Sequence, residues 1–85
     1  MFSVYFANQA KKFLKNADEI LSERIMSKIE KLKDNPVPSD AKFLEGVKGK
    51  IFRIRVGDYR ILYEIFHGEN LISVNNIDKR SKVYK

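Results

Sequence analysis

The chain has 85 residues, no cysteine, a formal net charge of +6 and a sequence pI near 9.7. That length fits one small domain spanning residues 1–85, which buries roughly 60% or a little more of its unfolded surface, and 44% hydrophobic content argues against disorder. Without cysteine there is no disulfide, thiolate metal site or thiol nucleophile. No apolar run reaches membrane-helix length and Met1–Phe6 lacks the basic start of a secretory signal, so a soluble, cytoplasmic protein with no membrane partner is expected.

In chain order, Phe2, Val4 and Phe6 alternate with Ser3 and Tyr5, the pattern of a first strand. Asn8 then reads as a helix cap, with Ala10, Phe13, Leu14 and Ala17 at helical spacing. Asn16-Ala17-Asp18-Glu19 reads as a second cap, its acids in the first turn where the helix dipole favours them. Ile20, Leu21, Ile25, Ile29 and Leu32 form an apolar stripe expected in the core, and Asn35-Pro36 stops that helix. Pro36 to Asp40 is a loop, and Phe43 to Gly49 leads into a hairpin.

That hairpin is the most informative segment. Ile51–Val56 and Tyr59–Tyr63 alternate around Gly57-Asp58, a two-residue turn signal. Val56 then opposes Tyr59, Arg55 opposes Arg60, Ile54 opposes Ile61 and Arg53 opposes Leu62. Opposed residues share a face, so Phe52, Ile54, Val56, Tyr59, Ile61 and Tyr63 form the core face. Arg53, Arg55 and Arg60 gather on the other, expected to be exposed and convergent, with Glu64 beside them. His67–Asn70 is a turn, and Leu71–Asn75 a last strand with Phe66 opposite Leu71, Ile65 opposite Ile72 and Tyr63 opposite Val74. Ser73 and Asn75 then fall on the arginine face. The whole reads as α+β, a β-α-α-β-β-β domain with a small antiparallel sheet and two N-terminal helices packed on one face.

Charge is uneven. Residues 42–60 carry six positive and two negative charges, residues 79–85 four positive and none negative, while 11–34 are nearly balanced at seven and five. Two basic segments flanking the hairpin point to a phosphate backbone. Guanidinium forks suit phosphodiester oxygens and can stabilise the charge that develops when a neighbouring oxygen attacks phosphorus. The tail from Ile77 to Lys85 reads equally as a frayed basic terminus or as a segment in which Tyr84 stacks on a base while its cations hold phosphate. His67, the only histidine, reads as a solvated turn residue. A single histidine with scattered carboxylates makes no metal constellation, and there is no phosphate-cradling glycine loop, so no cofactor is expected.

Phe43-Leu44-Glu45-Gly46, Arg53-Ile54-Arg55-Val56-Gly57-Asp58-Tyr59-Arg60-Ile61-Leu62-Tyr63 and Lys79-Arg80-Ser81-Lys82-Val83-Tyr84 together resemble the RelE family of toxins, in the RelE/ParE superfamily of type II toxin–antitoxin systems. The resemblance covers essentially the whole chain. It implies a metal-independent mRNA endonuclease that cuts codons in the ribosomal A site, using the ribose 2′-hydroxyl as nucleophile. It also implies a RelB-like antitoxin, and a toxin–antitoxin complex that binds operator DNA through the antitoxin. Carried over by position, Arg60 sits on the scissile phosphate, Arg53 and Arg55 stand at two basic positions that are lysines in the best-known member, Arg80 matches the arginine after the last strand, and Tyr84 the tyrosine for base stacking or proton transfer. Lys48, Lys50, Lys79 and Lys82 complete the expected RNA-binding set. Arginine is effectively never a base, so if a lysine is the family's base this chain must use another group, such as Tyr84, Lys79, Lys82 or ribosomal RNA. Two other readings share the pattern: a ParE-like DNA gyrase inhibitor, and a non-catalytic basic nucleic-acid-binding module.

Overall fold

Alternation and helical spacing resolve into the expected two-layer arrangement. The computed structural model describes residues 1–44 and 50–79. The elements are β1 (Ser3–Phe6), α1 (Asn8–Asn16), α2 (Glu19–Leu32), β2 (Lys42–Phe43), β3 (Ile51–Val56), β4 (Tyr59–Phe66), a single 3₁₀ turn (His67–Glu69) and β5 (Leu71–Lys79). The five strands form one sheet in the order β1-β5-β4-β3-β2. The α+β class and the helix-on-one-face layering hold, with three changes to the expected sheet. It is mixed rather than wholly antiparallel, because β1 runs parallel to β5. A short strand, β2, joins the edge by pairing Lys42 with Arg53 and Phe43 with Phe52. The last strand runs on to Lys79 instead of ending near Asn75, so Ile77 belongs to the core rather than to a tail.

The hairpin register is the one expected, from Ile51 opposite Glu64 to Val56 opposite Tyr59. Gly57 makes this turn possible: its φ of 57° lies where a side chain is strained, and glycine at the first loop position suits the twist of a two-residue hairpin. Between β4 and β5 the expected pairs of Tyr63, Ile65 and Phe66 also form, and a register shift between Leu62 and Tyr63 leaves Asn75 as the extra residue of a bulge. Behind the hairpin, Ile54, Ile61 and Ile77 stand in one cross-strand row, each 0% exposed. Ala10 of α1 and Ile25, Ile29 and Leu32 of α2 close over this face.

Two helix details depart from expectation. Ala7, not Asn8, is the N-cap of α1, and it makes no side-chain cap. Ile20 is 73% exposed rather than part of the core stripe. Ile20 and Leu21 are neighbours about 100° apart on the helix, and the face that carries Ile25, Ile29 and Leu32 takes Leu21. The second cap falls within the expected Asn16–Glu19 segment, but at Asp18, which was expected in the first turn: the Asp18 carboxylate accepts from Leu21 N–H at 2.8 Å. Asp18→Ala should lower stability by about 1 kcal/mol and the midpoint of thermal unfolding by roughly 4–8 °C, read by circular dichroism.

The segment joining α2 to β2 is tied down from two sides. The Tyr63 hydroxyl, on a side chain that is fully buried, donates to the Pro36 carbonyl at 2.6 Å. Lys28 Nζ donates to Asp40 Oδ2 at 2.6 Å. Burial, with help from the negative charge of Asp40, pushes the Tyr63 phenol well above its ordinary value near 10. The folded chain therefore holds this proton more tightly than the unfolded chain does. The resulting stability is constant below about pH 10 and is lost as pH rises beyond it. Tyr63→Phe should flatten that alkaline loss and cost about 1 kcal/mol at neutral pH, both measured by urea unfolding between pH 7 and pH 11.

Candidate nucleic-acid interface

The sheet face turned away from the helices carries the arginines. Arg55 lies opposite Arg60 and Arg53 opposite Leu62 across the hairpin; Lys42 of β2 lies opposite Arg53 and Asp78 of β5 opposite Arg60. Two transverse rows result, Arg55–Arg60–Asp78 and Lys42–Arg53–Leu62–Asn76. Asp40, Lys42, Arg53 and Arg55 line a groove of about 410 Å³.

The three arginines do converge, but they are not all exposed. Arg60 is 1% and Arg53 5% exposed, and only Arg55 faces solvent. Buried guanidinium groups keep their charge, and low-dielectric surroundings strengthen the field they project. Arg55 is thus the point of first contact for an anion, and atoms covering Arg53 and Arg60 must move for a phosphate to touch them. The Lys28 hydrogen bond holds the Asp40 carboxyl below its ordinary value, so this groove contains a fixed negative charge at neutral pH.

Lys50 is exposed just ahead of β3. Lys79 is exposed as well, but it stands opposite Tyr59 and so on the helix side of the sheet, away from the arginine rows. Lys48, Arg80, Lys82 and Tyr84 lie outside the described residues. Ser73 is on the arginine face as expected, its hydroxyl donating to Asn75 Oδ1 at 2.7 Å. His67 is exposed and its ring meets Phe2 edge-on at 5.9 Å, a packing contact in keeping with a turn residue. Sequence reasoning missed Asp40 and Lys42 as site residues. The available signal was Lys42-Phe43, whose alternation matches Phe52-Arg53 as a strand partner.

The family model described as the ParE toxin of type II toxin-antitoxin system, parDE, matches residues 4–84. The chain belongs to this family. Its relatives include a curated protein from Methanocaldococcus jannaschii named "Putative toxin RelE1", 28% identical over 86 residues, covering 99% of this chain and 96% of the relative. Among solved structures, the archaeal RelE–RelB complex from Pyrococcus horikoshii OT3 matches with a TM-score of 0.83 at 26% identity, covering 95% of this chain and 97% of that one. The RelB–RelE antitoxin–toxin complex from Methanococcus jannaschii matches with a TM-score of 0.73 at 27% identity, covering 95% of each chain. The chain is a RelE-like toxin of a type II toxin–antitoxin system. The α+β fold of this RelE-like toxin, including its five-stranded mixed sheet, is the one those relatives share.

Proposed function

We propose that this toxin is a metal-independent mRNA endonuclease acting on codons in the ribosomal A site. The observation that carries the reading is the opposed pair Arg55–Arg60 with Arg53 on one sheet face. In the reaction the 2′-oxygen bonds to the adjacent phosphorus and the bond from phosphorus to O5′ breaks. The 2′-hydroxyl proton passes to a base and O5′ takes up a proton, leaving a 2′,3′-cyclic phosphate and a 5′-hydroxyl. Arg60 stabilises the charge that develops on the phosphoryl oxygens, and Arg53, Arg55 and Lys42 hold the backbone. Arg80 and Tyr84 keep the roles that the family resemblance gives them, and the base is a group other than an arginine. RelE proteins from Pyrococcus and Methanococcus occur in complexes with RelB. By that likeness the partner here is a RelB-like antitoxin, through which the complex binds operator DNA; the place of action is the cytoplasm.

Induced expression should arrest translation and leave cuts in translated mRNA at ribosome-occupied codons, mapped by primer extension. A second reading follows from the match to the ParE toxin model: inhibition of DNA gyrase by binding. Intact mRNA with accumulating gyrase–DNA breaks would select that reading.

A further inference from the structure

Cleavage needs a proton acceptor, and the arginine face holds a carboxylate at its edge. Asp40 stands two residues ahead of β2 and lines the groove of about 410 Å³ together with Lys42, Arg53 and Arg55. Among the described residues of that groove it alone carries a negative charge. Its place is set from the other layer of the domain, where Lys28 of α2 donates to Oδ2 at 2.6 Å. An ionised carboxylate has about four lone-pair positions, so this bond orients the group without exhausting its capacity to accept. The side chain is 48% exposed, within reach of a ligand in the groove.

Other described groups that could take up a proton are turned elsewhere. Lys79 stands on the helix side of the sheet. Tyr63 is buried, and its hydroxyl donates to Pro36. His67 lies past the far end of β4 from Arg60. Glu64 pairs with Ile51, at the end of the hairpin away from the Gly57 turn. Asp78 stands beyond Arg60 on β5, its Oδ1 accepting from the Lys79 N–H at 2.8 Å. The groups that face the Asp40 carboxylate are cationic or neutral: Lys28 from α2, Lys42 from β2, Arg53 and Arg55 from β3, and the Tyr63 phenol from β4. The Lys28 bond keeps it ionised, and so able to accept a proton, throughout the neutral range. A phosphodiester drawn in by the exposed Arg55 arrives beside it.

We propose that Asp40 is the general base of the cleavage, taking the proton of the 2′-hydroxyl as that oxygen bonds to phosphorus. The bond from phosphorus to O5′ breaks, O5′ takes a proton from solvent water, and Asp40 returns its own proton to solvent. This rests on the endonuclease reading, which leaves the base unassigned. Single-turnover cleavage on ribosomes bearing a defined A-site codon is followed for wild type and Asp40→Asn between about pH 5.5 and about pH 8. The same ribosomes with a 2′-deoxy nucleotide at the attacking position report affinity without chemistry, and circular dichroism reports the fold. Asp40→Asn keeps the shape and an acceptor for Lys28 but takes up no proton. It should lower the rate by about 10²–10⁴-fold while binding the 2′-deoxy codon no less tightly than wild type, since a charge that repels phosphate is gone. The wild-type rate should be level with pH over this range, because Asp40 is ionised throughout it. A phenol or amine as base, such as that of Tyr84 or Lys82, would instead raise the rate about tenfold per pH unit. That rise, or a wild-type rate in Asp40→Asn, overturns the assignment. So does a loss of 2′-deoxy binding in Asp40→Asn as large as its loss of rate, which would make the carboxylate a structural group. Wild-type cutting with an undiminished variant defeats the assignment alone, whereas a wild-type toxin that leaves mRNA uncut defeats the endonuclease reading and the assignment together.

Discussion

Arg60→Ala should reduce mRNA cleavage by about 10²–10³-fold, the usual cost of removing one donor aimed at charge that develops in a transition state. The expectation comes from place as well as charge. Arg60 is on the central strand β4, between Arg55 and Asp78, and 1% exposed. A guanidinium held there acts where water screens it little, once the atoms that cover it have moved aside for the phosphate. Arg60→Lys keeps the charge but loses the planar fork, and should recover only part of the rate. Because the side chain is buried, the readout must separate chemistry from folding. Arg60→Met conserves the bulk, so it should match the alanine variant in lost cleavage while unfolding near the wild-type temperature. Single-turnover cleavage on ribosomes bearing a defined A-site codon provides the rate. Wild-type cleavage by Arg60→Met would remove this residue from the mechanism.

The largest loss of stability is expected at Ile61→Ala, directly behind Arg60. Ile61 is 0% exposed and sits in the middle of the row Ile54–Ile61–Ile77. Truncating a buried isoleucine to alanine removes transfer free energy and leaves a cavity, together about 2–5 kcal/mol. The whole stability of a domain is typically 5–15 kcal/mol, so this single change removes a large share of it. In urea unfolding the midpoint should fall steeply with the slope unchanged. Ile20→Ala on α2 should change stability by no more than about 0.5 kcal/mol, because Ile20 is 73% exposed.

The contrast between those isoleucines shows where sequence reading succeeds. Strand alternation around Gly57-Asp58 determines the register of every hairpin pair, since a slip by one residue would turn the isoleucine row to solvent. The start of α2 was legible as the segment Asn16–Glu19, because its signal is local, but not that Asp18 is the residue that caps it. What failed was information carried by distant neighbours. Alternation reports faces and not strand direction, so the parallel pairing of β1 with β5 was unreadable. Helical spacing could not choose between Ile20 and Leu21. The arginine face was legible as a face, but the burial of Arg53 and Arg60 depends on the tertiary surroundings of the sheet. Asp40 reaches the site through Lys28, twelve residues away, and no motif in the loop announces it.

The outer margin of the sheet has one further consequence. β1 ends at Phe6, opposite Val74, whereas β5 continues to Lys79. Gln9 of α1 meets the uncovered stretch: its side-chain amide donates to the Ile77 carbonyl at 2.8 Å and accepts from the Ile77 N–H at 2.9 Å. One glutamine thus imitates the backbone of a missing strand residue. Unpaired strand margins are templates for aggregation and for strand addition by other chains, and here the template is occupied from within. The uncovered end of β5 is thus closed at Ile77 from within the fold, and the outer sides of β1 and β2 remain as the two margins of the sheet.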